Sequence, residues 1–412
     1  MKSRRVPVKA TETLQQIMIE YYMEAKMAEG TDRKLAWVTS GAPVEILYAA
    51  DVIPLYPENH AALCGARKVA VDLCSVAEDH GFSRDICSYA RTDFGSVYGG
   101  PSPIGGVPKP DFLLCCNNIC GTVTKWYQHL KRELNVPLIF VDVPFEHDGV
   151  SREAVAYVRQ EIENAMSRVG EIVGKPMDAD RFRETLDLSM RSTVLWGEVL
   201  ALLANRPAPI SAFDTFIHMA PVVVMKGTQK CIDYYEKALL PEIRKRVAEG
   251  VAAVRGERFR LGWDNIAVWF KLRDLSVKFA EHKACLAAAT YAYEWAAGAE
   301  LRVNASADDP LNAMAEVYAR AGYINSGIET RTRTLLEMVD RFALDGFVMH
   351  SDRSCKPYSF MQYDLARILT DERDIPTLII EADHCDSRAY ADEQINTRID
   401  AFMETLAARE PR

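Results

Sequence analysis

What the 412-residue chain lacks narrows its chemistry first. No stretch reaches the roughly 18 apolar residues that span a bilayer, so no membrane-embedded role is expected. There is no G-x-x-x-x-G-K-S/T phosphate loop and no G-x-G-x-x-G fingerprint, which removes the usual backbone cradles for ATP and for dinucleotides. H-E-x-x-H and paired C-x-x-C motifs are absent, so ordinary zinc sites lack their ligand spacing. No G-x-S-x-G nucleophile elbow occurs. Positive charge is in deficit: 49 Lys and Arg stand against 58 Asp and Glu, a net charge of −9. A nucleic-acid footprint is therefore not expected. The opening MKSRRVPVKATETLQQ is basic but carries no apolar core of a signal peptide, which leads us to expect a cytoplasmic chain. Histidine is sparse, eight in all, with no pair at metal spacing.

Cysteine, in contrast, is plentiful. Ten cysteines in a chain expected to stay in the cytoplasm argue for metal or reduced thiols, not a disulfide frame. The hydrophobic share, 49%, and charged share, 26%, are those of a globular protein. The length exceeds what one compact core uses, so two domains are expected. Arg206-Pro207-Ala208-Pro209 breaks the helical pattern and sets the expected boundary: 1–206, an N-terminal helix plus a first α/β domain, and 207–412, a second α/β domain.

The most informative stretch is Asp111 to Pro144. Phe112-Leu113-Leu114 is too short for a helix and reads as a buried strand. Cys115, Cys116 and Cys120 follow at its end. Val123, Trp126, Tyr127, Leu130 and Leu134 then recur at helical spacing until Pro137, and Leu138 to Val141 reads as the next strand. Strand, helix, strand implies a parallel sheet, whose sites lie at the carboxyl edge. The unit recurs near the other end. Gly346 to Met349 is a strand, Cys355 follows, Met361, Leu365, Ile368 and Leu369 make a helical stripe, and Leu378 to Ile380 is a strand. Cys120 and Cys355 each stand eight residues beyond the Phe of their strand. A helix amino end favours a thiolate and suits an anionic metal–sulfur cluster; two buried core cysteines in a duplicated fold are the plainer alternative.

Elsewhere the chain reads as further α/β units. Leu14, Ile17, Met18, Tyr21 and Ala25 form an amphipathic helix ending near Gly30. Leu35 to Val38 is a strand running into the turn at Ser40. Val52 to Leu55 is a strand closed by Tyr56-Pro57-Glu58-Asn59, a polar cluster read as a loop. Cys87 lies between Arg84 and Arg91, cations that would favour its thiolate. A helical stretch is expected over 213–248, a strand over 285–291 and a loop over 307–310. His350 and His384 at strand ends read as simply hydrogen-bonded. Three cysteines far apart in sequence, Cys87, Cys120 and Cys355, each lie near a strand end. They fall one short of the four thiolates that usually hold a cubane iron–sulfur cluster. A fourth position left to water or substrate would leave one iron open as a Lewis acid.

YPEN (Tyr56 to Asn59), DICSYAR (Asp85 to Arg91), PDFLLCCNNIC (Pro110 to Cys120), RSCKPYS (Arg353 to Ser359) and the closing EADHCDSRAY resemble the 2-hydroxyacyl-CoA dehydratase and benzoyl-CoA reductase family. The resemblance covers nearly the whole chain, and the CCNNIC form is most similar to the cluster-bearing α-type subunit of the dehydratases. It implies two parallel-sheet, Rossmann- or flavodoxin-like α/β domains with helical N-terminal and connecting segments. It implies that Cys87, Cys120 and Cys355 hold a 4Fe–4S cluster, with Cys115 and Cys116 as neighbours and not ligands. It also implies a homologous second subunit and a separate iron–sulfur activator that hydrolyses ATP and injects one electron, in keeping with the missing phosphate loop.

The implied reaction answers a physical difficulty. The hydrogen β to a thioester is not acidic, so base alone cannot drive loss of a 2-hydroxyl. One added electron gives a ketyl radical anion that expels hydroxide, the β-hydrogen then becomes acidic, and the electron is recycled. By resemblance Glu58 handles the proton or orients the substrate hydroxyl, and Ser40 hydrogen-bonds near the thioester oxygen or the cluster. A subunit of an ATP-dependent benzoyl-CoA reductase and a non-catalytic electron-relay subunit are the rival readings. The acyl group is not legible; aromatic and branched aliphatic groups both fit. Lys34, Lys125 or Arg353 could meet the phosphates of CoA. Flavin, found in some relatives, has no motif here.

Overall fold

Eight short strands carry the architecture of this computed structural model, which describes residues 5–145, 147–296, 309–320 and 322–409. The first four are β1 (Leu35–Val38), β2 (Ile53–Leu55), β3 (Phe112–Cys116) and β4 (Leu138–Val141). The second four are β5 (Phe259–Asp264), β6 (Ala284–Ala289), β7 (Gly346–Asp352) and β8 (Thr377–Ala382). They form two sheets, ordered β2-β1-β3-β4 and β6-β5-β7-β8, with every pairing parallel. The chain is thus an α/β protein with two parallel sheets of one topology and a helical N-terminal segment. Among the described residues no helix is long and apolar enough to cross a membrane.

The strands read as they do because helices cover both faces. All five side chains of β3 are buried. Removing each such Phe or Leu from water is worth about 1.5–3 kcal/mol. Helix Gly121–Leu134 packs Val123, Trp126, Tyr127 and Leu130 onto this sheet. It ends at Asn135, in the left-handed region at φ 52°, ahead of Pro137. Its counterpart Gln362–Arg373 ends likewise at Asp374, φ 53°, two residues before Pro376. The stop is therefore set by a left-handed Asn or Asp, and proline only forbids resumption. The N-terminal helix Thr11–Ala28 buries Leu14, Tyr21 and Ala25, and the Tyr21 hydroxyl fastens it to the Pro54 carbonyl at 2.9 Å.

Three local expectations need correction. Tyr56-Pro57-Glu58-Asn59 is not a loop: a helix runs from Pro57 to Ala66, with Pro57 in its first turn where a missing N–H costs nothing. The strand expected over 285–291 stops at Ala289, and Thr290–Glu294 is helical. The helix expected over 213–248 is several pieces, Ala212–His218, Ala220–Val224, Gln229–Asp233 and Leu240–Ala248, with a wide turn at Tyr234–Leu239. The loop expected over 307–310 lies partly outside the described residues; by Asp309 the chain is capping helix Pro310–Ala319.

Candidate active site between the two sheets

In each sheet the first and third strands in sequence lie side by side while their connections leave in opposite directions. That is the switch point where parallel sheets open a crevice. At the first, β1 runs into Thr39-Ser40-Gly41 and β3 into Asn117-Asn118-Ile119-Cys120. At the second, β5 runs into Asn265-Ile266 and β7 into Arg353-Ser354-Cys355. Both edges line one cavity of about 180 Å3, together with Glu58 and Cys87. Ser40, Glu58, Cys87, Cys120 and Cys355, all singled out from sequence, thus meet in one place.

Each of the three cysteines is the residue before a helix. Cys87 precedes Ser88–Val97, Cys120 precedes Gly121–Leu134, and Cys355 precedes Lys356–Ser359. Backbone N–H groups of Thr122 and Val123 turn to the Cys120 sulfur, and that of Tyr358 to the Cys355 sulfur. At Cys120 and Cys355 burial outweighs these N–H groups and favours the thiol. Burial, with the Cys87 thiol adding to it, pushes Cys120 up to about 12. Burial, then Asp352 and the other two thiols, holds Cys355 well above the usual range. The arginines expected beside Cys87 are engaged elsewhere. Arg91 is spent on Glu78 and Asp386 at 2.8 and 2.9 Å, and Arg84 faces Glu78 at 3.9 Å. What stands 3.8 Å from the Cys87 sulfur is Nε2 of His384. Cys115 and Cys116 are buried inside β3, outside the cavity lining.

Ser40 and Glu58, read separately from sequence, are a pair. The Ser40 N–H donates to Glu58 Oε2 at 2.5 Å. Burial raises the carboxyl of Glu58, and hydrogen bonds from the Ser40 hydroxyl and N–H pull it part of the way back. The turn brings Ser40 close because residue 41 is glycine. A Cβ there would sit 2.3 Å from Asn118 Oδ1 and 2.9 Å from Ile119 Cγ1, while Asn118 Nδ2 holds the Gly41 carbonyl at 2.9 Å.

Sequence reasoning missed several cavity residues. Glu294 lines it, and burial lifts its carboxyl to about 7 against the Ile324 N–H and Arg331. Tyr56 OH, Asn118 Oδ1 and Trp295 Nε1 are buried, line the cavity and have no hydrogen-bond partner among the described residues. Buried polar atoms are rarely left so unless a ligand meets them. The signal for Tyr56 and Asn118 was present, since each lies inside a quoted motif. Lys34, Lys125 and Arg353 are not in the lining; they pair with Asp111, Gln128 and Glu381. Among the described residues, the cations that line the cavity are Lys226 and Arg320.

Behind Cys87 and Cys355 lies a buried charged group. Ligand atoms of Asp352, Asp383 and His384 fall within 4.8 Å of one another. Burial opposes charge on His384, but Asp352 and Asp383 outweigh it and hold the imidazole well above its usual range. The reading of His384 as simply hydrogen-bonded understated it.

A duplicated parallel α/β chain with three thiols, a carboxyl and a hydroxyl converging on a cavity between its sheets has the layout of an enzyme with its candidate active site at the switch points. The chain belongs to the 2-hydroxyglutaryl-CoA dehydratase D-component family, whose model matches residues 39–406. It is 33% identical to the lactoyl-CoA dehydratase subunit alpha of Anaerotignum propionicum, over 93% of each chain. It is 34% identical to the (R)-phenyllactyl-CoA dehydratase alpha subunit of Clostridium sporogenes, over 97% of this chain and 96% of that one. At 26% it is similar to a benzoyl-CoA reductase subunit of Thauera aromatica, over 92% of this chain and 90% of that one.

Proposed function

We propose that this chain is the cluster-bearing α-type subunit of a 2-hydroxyacyl-CoA dehydratase, a hydro-lyase that removes water from a 2-hydroxyacyl-CoA to give an enoyl-CoA. The observation that carries the reading is the meeting of Cys87, Cys120 and Cys355 with Ser40 and Glu58 around one cavity, in a chain a third identical to dehydratase α subunits.

The residues present fit a 4Fe–4S cluster. Three thiols from three separate helix starts surround a common space, with backbone N–H groups turned to two of the sulfurs. A single tetrahedral ion would draw its sulfurs to within about 4 Å, given metal–sulfur bonds of about 2.3 Å. The thiols are not the trio that falls within 4.8 Å, so their spacing suits a larger group. When bound, the cluster supplies one-electron chemistry and an open iron acting as a Lewis acid.

The chain's own residues then do the following. Cys87, Cys120 and Cys355 hold the cluster at the cavity wall. Glu58, kept protonatable by burial and aligned by Ser40, moves a proton on its carboxyl or orients the 2-hydroxyl. The Ser40 hydroxyl, when it is not donating to Glu58, hydrogen-bonds near the thioester oxygen or the cluster. Tyr56, Asn118 and Trp295 offer free polar atoms to the acyl thioester. Lys226 and Arg320 lie on the wall as cations for the phosphates of CoA. Apolar lining residues such as Val222, Val223 and Ile266 exclude water. A homologous second subunit and an ATP-hydrolysing iron–sulfur activator complete the system in the cytoplasm, and the division at 206/207 leaves one sheet on each side.

Anaerobic purification with the second subunit, iron and sulfide counts, and Mössbauer spectra with and without a 2-hydroxyacyl-CoA test this. About four irons per chain, one shifting with substrate, are expected; no iron overturns the reading. Benzoyl-CoA reductase is the second reading, favoured by the 26% identity to a subunit of that enzyme. It predicts two electrons consumed per product, where the dehydratase uses electrons catalytically. A cluster indifferent to every acyl-CoA would reduce the chain to an electron relay.

A further inference from the structure

The charged group behind the thiols admits a hydrogen-by-hydrogen account. Asp352 Oδ2 accepts from His384 Nδ1 at 2.7 Å. Its Oδ1 accepts the backbone N–H groups of Ser354 and Cys355, each at 3.3 Å. Asp383 Oδ1 accepts the N–H groups of Cys385 and Asp386, both at 2.9 Å, and Asp383 Oδ2 accepts the Ser354 hydroxyl at 2.5 Å. Asp383 Oδ1 also accepts the single hydroxyl proton of Ser88, at 2.6 Å. Ser88 Oγ lies 2.8 Å from His384 Nε2. With its proton committed to Asp383, that oxygen can only accept, so Nε2 carries hydrogen. Both ring nitrogens are then donors, and the imidazole is a cation held between two carboxylates. That one hydrogen is shared between Ser88 Oγ at 2.8 Å and the Cys87 sulfur at 3.8 Å.

On the reading that Cys87 is a cluster ligand, we propose that His384 donates Nε2–H to the Cys87 sulfur and is a positioning residue that raises the reduction potential of the bound cluster. Hydrogen bonds and positive charge at ligand sulfurs stabilise the reduced, more negative cluster. The same carboxylate that orients His384 also holds the Cys355 backbone, so one buried group braces two of the three ligands and leaves Cys120 outside it. In this hydrogen-bonded form the Asp352–Asp383–His384 trio buttresses the thiols of Cys87 and Cys355.

The test is a potentiometric titration of the iron-loaded protein and of His384→Gln, followed by EPR. At a fixed solution potential the reduced-to-oxidised ratio of the variant should fall about tenfold, a shift of ~59 mV to more negative potential for one electron. An unchanged midpoint in an iron-loaded variant overturns the inference alone; wild-type protein without iron overturns the cluster reading and the inference with it. If His384→Gln holds no iron, pulsed EPR of reduced wild-type protein labelled with 15N-histidine decides. A ring-nitrogen coupling to the cluster supports the hydrogen bond, and its absence refutes it.

Discussion

The strand registers align the two halves, apart from one irregularity where β5 meets β6 at Leu261 and Gly262. Ala36 opposite Phe112 answers to Gly262 opposite Phe347, which makes Cys120 the counterpart of Cys355. On the same register Ser40 corresponds to Ile266, and Glu58, three residues past the end of β2, to Ala292, three past β6. Conversely, Asp352, Asp383 and His384 of the second half correspond to Asn117, Val143 and Pro144 of the first. The fold repeats the thiol and its helix start; the surroundings diverge. One half contributes the Ser40–Glu58 pair, the other the buried charges of Asp352, Asp383 and His384. Duplication thus explains where Cys120 and Cys355 stand, and divergence explains why one cavity has two unlike walls.

The largest expected effect tests the shared part. Cys120→Ser and Cys355→Ser each remove one ligand from an equivalent place, so each should drop bound iron from about four per chain to near none. Retention of full iron by one variant and loss by the other would break the equivalence. Next comes the unshared part. Glu58→Gln should keep its iron while turnover falls by about 10²–10⁴-fold, the range of a lost general acid or base. Adding Ala292→Glu at the corresponding position of the other half should not restore turnover. Normal turnover in Glu58→Gln would remove that residue from the proton path.

A third experiment addresses a carboxyl that belongs to the second half. Burial lifts Glu294 from 4.5 to about 7. Its folded value is raised, so the unfolded chain releases the proton first. The stability it contributes is present below about 4.5 and lost as pH rises towards about 7. The loss amounts to about 3 kcal/mol. Glu294→Gln should therefore gain on wild type by that amount between those pH values in denaturant midpoints. Parallel curves for the two proteins would show that Glu294 does not titrate in that window.

How far this comparison could be read from sequence follows from what kind of signal each part leaves. The repeated strand–helix–strand unit is local, and Phe112 with Cys120, like Phe347 with Cys355, is visible at a glance. Cys87 stands out as a thiol between Arg84 and Arg91 near a strand end; Glu58 was legible only through motif resemblance, because its surroundings depend on contacts between distant segments. The helix at Pro57 was missed because a polar cluster behind a strand looks like a turn. Its proline sits where a helix tolerates it. The His384 network was illegible for a similar reason: Ser88 and Asp383 are 295 positions apart, and no periodicity links them. Lys226, Arg320 and Glu294 carry no motif and join the cavity only through packing.

The smallest effect concerns how each half ties its first strand to its third. Thr39 Oγ1 accepts the Cys116 N–H at 2.9 Å, and both residues are fully buried. At the corresponding position Asn265 donates to the His350 carbonyl at 2.7 Å, and that carbonyl also accepts from Gln362 at 2.9 Å. The Thr39 hydroxyl also donates to the Cys116 carbonyl at 3.4 Å, so the first tie runs both ways, whereas the second is one bond with a helix residue sharing its acceptor. Thr39→Val keeps the shape and deletes the acceptor, leaving a buried N–H without a partner at a cost of about 1–3 kcal/mol. Thr39→Ser keeps the acceptor and loses one methyl, about 0.8 kcal/mol. Denaturant midpoints at constant slope measure both. If Val is tolerated better than Ser, packing and not the hydroxyl joins β1 to β3, and the position of Ser40 does not depend on that hydrogen bond.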